Sequence, residues 1–115
     1  MQSLASATNL DADAVVVGGG LAGSAAALLL ARQGKQVILL EKSREAHHKV
    51  CGEFLSIEAQ HYLSRLGIDL PSLGAVAIRQ FRLNTPDTSI EAPLPFTAMS
   101  LSRFVLDEQL LRCAR

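Results

Sequence analysis

Ala14 to Gly20 read AVVVGGG, and a β-branched run that stops at three consecutive glycines limits the fold more than any other stretch of the chain. An apolar run without polar alternation fits a strand buried on both faces, as the strands of a parallel sheet are. The glycines then allow a tight turn. LAGSAAALLLARQG follows, rich in Ala and Leu, with Gly34 as the residue just beyond a helix end. QVILLE reads as a second buried strand that ends in Glu41. Strand, turn, helix and strand in this order make a βαβ unit, whose crossover is right-handed in nearly all known cases. The predicted fold class is therefore α/β.

The small residues of this unit have a specific spacing. Gly18, Gly20 and Gly23 form G-x-G-x-x-G, followed by Ala27 and Gly34. Gly18 permits the sharp exit from the strand, Gly20 lets the backbone approach a pyrophosphate, and Gly23 with Ala27 lets the helix lie close on the sheet. Phosphates would sit at the helix N-terminus, where unpaired N–H groups and the positive end of the dipole meet them. Glu41 lies about 20 residues on, where an acid accepts hydrogen bonds from an adenosine ribose. An anion there repels a ribose 2′-phosphate, which argues against directly bound NADP. A glycine-rich turn in an unrelated α/β protein could carry the bare motif. The buried strand, the helix, Ala27, Gly34 and Glu41 around it favour a dinucleotide site.

A plain dinucleotide domain would continue with another crossover, and this chain does not. Ser43–Cys51 is polar and basic, hence a loop. SIEAQHYLSRLG predicts a helix capped by Ser56 and closed by Gly67, with Ala59, Tyr62, Leu63 and Leu66 as its inward stripe. Ala75–Thr85 alternates through Val76 and Ile78 and, after a slip, Phe81 and Leu83, as a strand of an antiparallel sheet does. Pro86–Thr88 is a turn, Ser89–Pro93 a short return strand, and Pro93–Phe96 a loop. A last helix is predicted from Ser102, with Leu106, Leu110, Cys113 and Ala114 inward.

Taken together, VVVGGGLAGSAAALLLARQGKQVILLEKS, HHKVCGEFLS and LSRFVLDEQLLRCA resemble the N-terminal third of the FAD-dependent oxidoreductases that include geranylgeranyl reductases and aromatic-ring hydroxylases. The resemblance covers nearly all of residues 12–115. Its first motif is shared by many FAD and NAD proteins, whereas the three in order are far more specific. VCGEFLS is closest to the geranylgeranyl reductase side. The resemblance implies a Rossmann-like FAD-binding βαβ unit over 12–52 and a helix and hairpin excursion toward a mixed α+β substrate-side domain over 53–101. A helix returning over 102–115 follows, with a disordered lead-in over 1–11. It also implies cofactor contacts. Gly18, Gly20, Leu21, Ala22 and Gly23 would surround the pyrophosphate, with the Ala22 N–H donating to it. Glu41 would hold the ribose, Lys42 would lie near the adenine, Cys51 and Gly52 would lie along the flavin, and Arg103 would reach the diphosphate. A guanidinium at a domain junction suits bidentate phosphate binding in any case.

Cys51 has other readings on its own residues. With His47 and His48 it could be a metal ligand, but zinc needs three or four ligands held from behind, and neither C-x-x-C nor a fourth spaced ligand is present. As a nucleophile it would need a base oriented by a third group, and no Asn or Asp is evidently placed behind His48. It could be a small buried hydrophobe, or the thiol could line a flavin. His47 and His48 read as a solvated loop pair, and Lys42 and Lys49 as surface charges.

The balance of 11 basic and 11 acidic residues carries no footprint for nucleic acid or an anionic membrane. With only two cysteines, reduced thiols and a cytoplasmic location are expected. No signal peptide or membrane-spanning run is expected, although peripheral membrane contact stays open. The family's chains are several times longer, and two parallel strands alone make a narrow sheet with bare edges. The chain is thus expected to be the N-terminal part of an enzyme in which FAD, reduced by NAD(P)H, hydrogenates C=C bonds of an isoprenoid or similar apolar substrate. An FAD-dependent aromatic monooxygenase and an incomplete nucleotide-binding piece without activity are the alternatives. No catalytic residue is assigned.

Overall fold

The computed structural model describes residues 11–115, so all of the expected disordered lead-in except Asp11 lies outside the described residues. Strand β1 (Ala14–Val17), helix α1 (Leu21–Arg32) and strand β2 (Val37–Leu40) follow in that order. β1 and β2 pair in parallel, Ala14 against Val37 through to Val17 against Leu40. The helix ends where Gly34 takes φ +79°, a left-handed conformation that glycine adopts without a steric penalty.

The parallel strands depart from the expected burial on both faces. The residues of β1 alternate between half-buried and exposed, with Val15 and Val17 58% and 81% exposed, and β2 is half-buried at Val37–Leu39 and exposed at Leu40. α1 packs on one face of the pair, and among the described residues no element covers the other. A β-branched run reports what a strand is able to bury; whether a second layer exists is a tertiary matter.

Strand β3 (Phe54–Leu55), too short to leave a sequence signal, leads into helix α2 (Ile57–Arg65). Ser56 caps α2 by accepting a hydrogen bond from the Ala59 N–H at 3.3 Å, as its position predicts. Leu63 and Leu66 are buried and Ala59 packs beside them, but Tyr62 is 63% exposed. Tyr62 falls outside the packed stripe, and its ring carries a hydroxyl that water can hydrogen-bond.

After a 3-10 turn at Pro71–Leu73, strands β4 (Val76–Asn84) and β5 (Ser89–Ser100) form a long antiparallel hairpin. At its tip the Thr85 N–H donates to the Thr88 carbonyl at 2.8 Å. The ladder runs from Asn84 against Ser89 to Gln80 against Pro93, breaks, and resumes at Ile78 against Ala98. The slip expected before Phe81 is this break. The predicted return strand and the predicted Pro93–Phe96 loop are instead one continuous strand with an interruption inside it. Proline lacks the N–H that a ladder needs, so Pro93 and Pro95 weaken pairing without ending the strand. β3 pairs with β5 only at Ser100 and Met99, so the prolines face an unpaired edge on that side.

Helix α3 (Arg103–Cys113) starts at Ser102, whose hydroxyl accepts from the Phe104 N–H at 3.1 Å. Leu106 and Leu110 are each 1% exposed. Cys113, expected inward, is exposed, while Ala114 packs on the core. The buried row runs Leu106, Leu110, Ala114 at a spacing of four, so Cys113 falls to its side.

α3 packs against α1. Leu28, Leu63, Leu66, Leu101, Leu106 and Leu110 belong to one core that joins α1, α2 and α3. Arg32 at the end of α1 adds a polar tie, donating to the carbonyls of Arg65 at 3.1 Å and Leu66 at 2.8 Å. Those carbonyls are at the end of α2 and have no partner within it.

Candidate functional site

The glycine loop between β1 and α1 is held from three sides. Gly18 has φ +101°, the turn out of the strand that a side chain would oppose. The fully buried Ser24 hydroxyl donates to the Gly19 carbonyl at 3.0 Å. The Gly19 N–H donates to Glu41 Oε2 at 2.6 Å. Gly23 is the contact point of helix and strand: a Cβ there would lie 1.8 Å from the Gly18 carbonyl oxygen and 3.3 Å from a Val16 methyl carbon. The close-packing role predicted for Gly23 is therefore visible as a distance.

Gly20 differs. It precedes α1 in an extended conformation and supplies no side-chain cap, and no acidic residue stands in the first turn. The first N–H groups of α1, on Leu21, Ala22 and Gly23, have no acceptor within the helix. A Cβ on Gly20 would meet only Lys49 Nζ, at 3.9 Å. Space, uncapped N–H groups and an ammonium thus converge there, a combination that fits a pyrophosphate. Leu21 turns its side chain to the core, and Ala22 is exposed at the loop.

Glu41 directly follows β2 and faces this loop. Its second oxygen accepts from the Ser43 N–H at 2.9 Å. The Ser43 and Gly19 hydrogen bonds, helped by the Lys49 charge, hold its carboxyl below the usual glutamate value. An ionised carboxylate has about four acceptor positions, so lone pairs remain for ribose hydroxyls.

Beside Glu41 opens a cleft of about 420 Å³ between the 43–49 loop and α3, lined among others by Gly19, Glu41, Lys49, Phe104 and Asp107. Lys42 is exposed and stands outside its wall, which takes basic groups from Arg44, Arg112 and Arg115. The His48 ring lies 5.1 Å from that of Phe104.

Two residues of the site escaped the sequence reading. Lys49, read as a surface charge, pairs with Asp107 at 2.6 Å, and its side chain is only 29% exposed. Asp107, given no role, is 6% exposed. It also accepts from Arg103, Nε to Oδ1 at 2.9 Å and a second guanidinium nitrogen to Oδ2 at 3.3 Å. An Asp four residues after an Arg at a helix start was the available signal, and it reads equally well as a surface pair.

Burial pushes the Asp107 carboxyl up, but Arg103 and Lys49 more than offset this and hold it below the ordinary aspartate value. A depressed folded pKa stabilises the protein above the unfolded value, near 3.9, and the contribution is lost as pH falls through the folded value. Glu41 acts in the same direction. The melting temperature of the full-length protein is expected to drop as pH falls below about 4. Asp107→Asn should flatten that drop, and thermal denaturation followed by circular dichroism across this range checks it.

Cys51 is exposed, which removes the buried-hydrophobe reading. Its sulfur accepts from the Glu53 N–H at 3.3 Å. Glu53 has φ +58°, unusual for a residue with a Cβ. His47 and His48 are exposed, and among the described residues no group of three His, Cys, Asp or Glu side chains is arranged to hold a metal ion. Cys51 and Gly52 follow Lys49 on the same segment, so the glycine loop, Glu41, Lys49, Cys51 and Arg103 belong to one neighbourhood.

The family described as FAD binding domain matches residues 11–80. Menaquinone reductase of Mycolicibacterium smegmatis is 33% identical over 107 residues, covering 89% of this chain and 26% of that protein. A geranylgeranyl bacteriochlorophyll reductase-like protein of Thermoplasma acidophilum superposes with a TM-score of 0.68 at 27% identity, over 90% of this chain and 27% of that one. A probable FAD-dependent monooxygenase of Pseudomonas aeruginosa, pqsL, has the same fold, with a TM-score of 0.74 at 17% identity over 89% of this chain and 29% of that one. The chain thus spans between a quarter and a third of the length of each of these proteins.

Proposed function

Since the chain belongs to the FAD binding domain family, we propose that it binds FAD across the glycine loop and forms part of an FAD-dependent oxidoreductase that reduces C=C bonds of an isoprenoid or similar apolar substrate. The observation that carries the cofactor reading is the open space over Gly20, bordered by the start of α1 and by Lys49 Nζ. Residues 12–52 are taken as the cofactor-binding unit, 53–101 as the substrate-side excursion and 102–115 as the return.

In this reading the Ala22 N–H and its neighbours in the first turn bind the pyrophosphate. Glu41, already oriented by Gly19 and Ser43, accepts from the ribose hydroxyls. Lys42 lies toward the adenine, Arg103 reaches the diphosphate, and Cys51 and Gly52 line the flavin. Bound FAD supplies a two-electron carrier that a nicotinamide donor reduces and an alkene oxidises. The reductase reading is favoured by two relatives that match about nine-tenths of the chain and are named for reducing menaquinone and for likeness to a geranylgeranyl reductase. The same cofactor site serves an aromatic monooxygenase, the second reading, which the likeness to a probable monooxygenase keeps in view.

The test is to purify the full-length gene product, record its flavin spectrum and measure NADH and NADPH oxidation with a prenylated alkene and with an aromatic substrate. Alkene-dependent oxidation without oxygen uptake supports the reductase. Aromatic-dependent oxygen uptake selects the monooxygenase, and a protein that takes up no flavin removes both.

Arg103→Ala is expected to weaken FAD binding about tenfold to a hundredfold, because a lost charge-assisted hydrogen bond costs roughly 1.5–3 kcal/mol. The helix should still start, since Ser102 provides its cap. Titration of flavin-free protein with FAD at low and high salt checks this. An unchanged affinity with an unchanged salt response would leave Arg103 without a cofactor contact.

A further inference from the structure

Asp107 is buried and charged. The physical question is why an enzyme would keep a carboxylate at the foot of a phosphate site, where a bare anion repels the ligand. The geometry supplies a reason. One Asp107 oxygen bonds Lys49 Nζ at 2.6 Å, and both engage the Arg103 guanidinium. Lysine has three N–H donors and arginine five. Asp107 therefore occupies one donor of Lys49 and two of Arg103, and each cation has further N–H donors besides these. The held ammonium is the group nearest to where a Gly20 side chain would be. A free lysine or arginine side chain carries rotamer entropy that binding must overcome.

We propose that Asp107 is a positioning residue that fixes Lys49, together with Arg103, over the glycine loop so that their remaining donors meet the cofactor's pyrophosphate already oriented. This inference rests on the FAD reading above and adds to it two residues, Lys49 as a phosphate ligand and Asp107 as its holder. Asp107 itself touches no cofactor. It acts by replacing a search among rotamers with one prepared arrangement, and it neutralises part of the repulsion between two adjacent cations.

The experiment titrates flavin-free full-length protein with FAD, following quenching of flavin fluorescence at low and high salt. Lys49→Met and Asp107→Asn are each expected to weaken FAD binding about tenfold, the size of one lost charge-assisted contact. The salt response should become shallower in both, because fewer fixed cations face the phosphate. The double variant should bind about as weakly as either single variant, since Lys49 out of place contributes little. Lys49→Arg should keep the parental affinity when Asp107 is present and fail to recover it in an Asp107→Asn background. A merely structural Asp107 would instead lower the melting temperature and leave the effect of Lys49→Met unchanged in its absence, the two losses multiplying to about a hundredfold. That result, or an Asp107→Asn protein with parental affinity and salt response, overturns the inference while the FAD reading stands. A parent that takes up no FAD overturns both. Should Asp107→Asn fail to fold, Asp107→Glu keeps the buried charge and moves it by one methylene. Weaker FAD binding at an unchanged melting temperature then supports positioning, and unchanged binding overturns it.

Discussion

Gly23→Ala is expected to cost the folded protein about 3 kcal/mol or more, at the upper end of what overpacking a close contact does. The added methyl would stand 1.8 Å from the Gly18 carbonyl oxygen and 3.0 Å from its carbon. These are backbone atoms of the turn that the Ser24 hydroxyl and the Glu41 carboxylate both stabilise through Gly19. No rotamer change relieves the clash. Either α1 lifts from β1, or the turn opens and its hydrogen bonds break. Urea denaturation of full-length protein, read at two probes, should give a lower midpoint or no folded baseline. A Gly23→Ala protein with the parental midpoint would mean that helix and strand can separate at little cost, contrary to the contact described.

Gly20→Val is expected to do the opposite: leave the fold and remove the cofactor. Gly20 sits at φ −74°, ψ −168°, an extended conformation that valine adopts readily. Its Cβ would meet only Lys49 Nζ, the end of a flexible side chain, at 3.9 Å. The melting temperature of the flavin-free protein should stay near the parent's. FAD affinity should fall at least about a hundredfold, near 2.8 kcal/mol, because branched carbons would fill the space into which the pyrophosphate must come. The measurement is flavin retention through gel filtration, followed by titration. A yellow, flavin-loaded Gly20→Val protein would rule out this placement of the cofactor. Two glycines of one motif, three residues apart, thus separate the structural from the ligand-binding work of the loop.

Taken residue by residue, the chain's local chemistry determined a good deal by itself. Helix ends were legible because capping is local: Ser56 and Ser102 accept from N–H groups two or three residues ahead. The βαβ order and the role of Gly23 were legible because only a glycine fits where a helix lies on a strand. The slip in β4 was legible as a break in alternation. What needed the tertiary structure has a common cause, namely that it depends on partners distant in sequence. The half-bare β1 and β2, the single interrupted β5 and the outward Tyr62 and Cys113 were decided by which faces found a neighbour. Lys49 in particular looks, in sequence, like any loop lysine. Only the packing of α3 beside the 43–49 loop brings its ammonium to Asp107, 58 positions away by number, at 2.6 Å. A long flexible side chain carries no local signal of its partner, so the chain alone could name the glycines of this site but not the carboxylate that orients its cations.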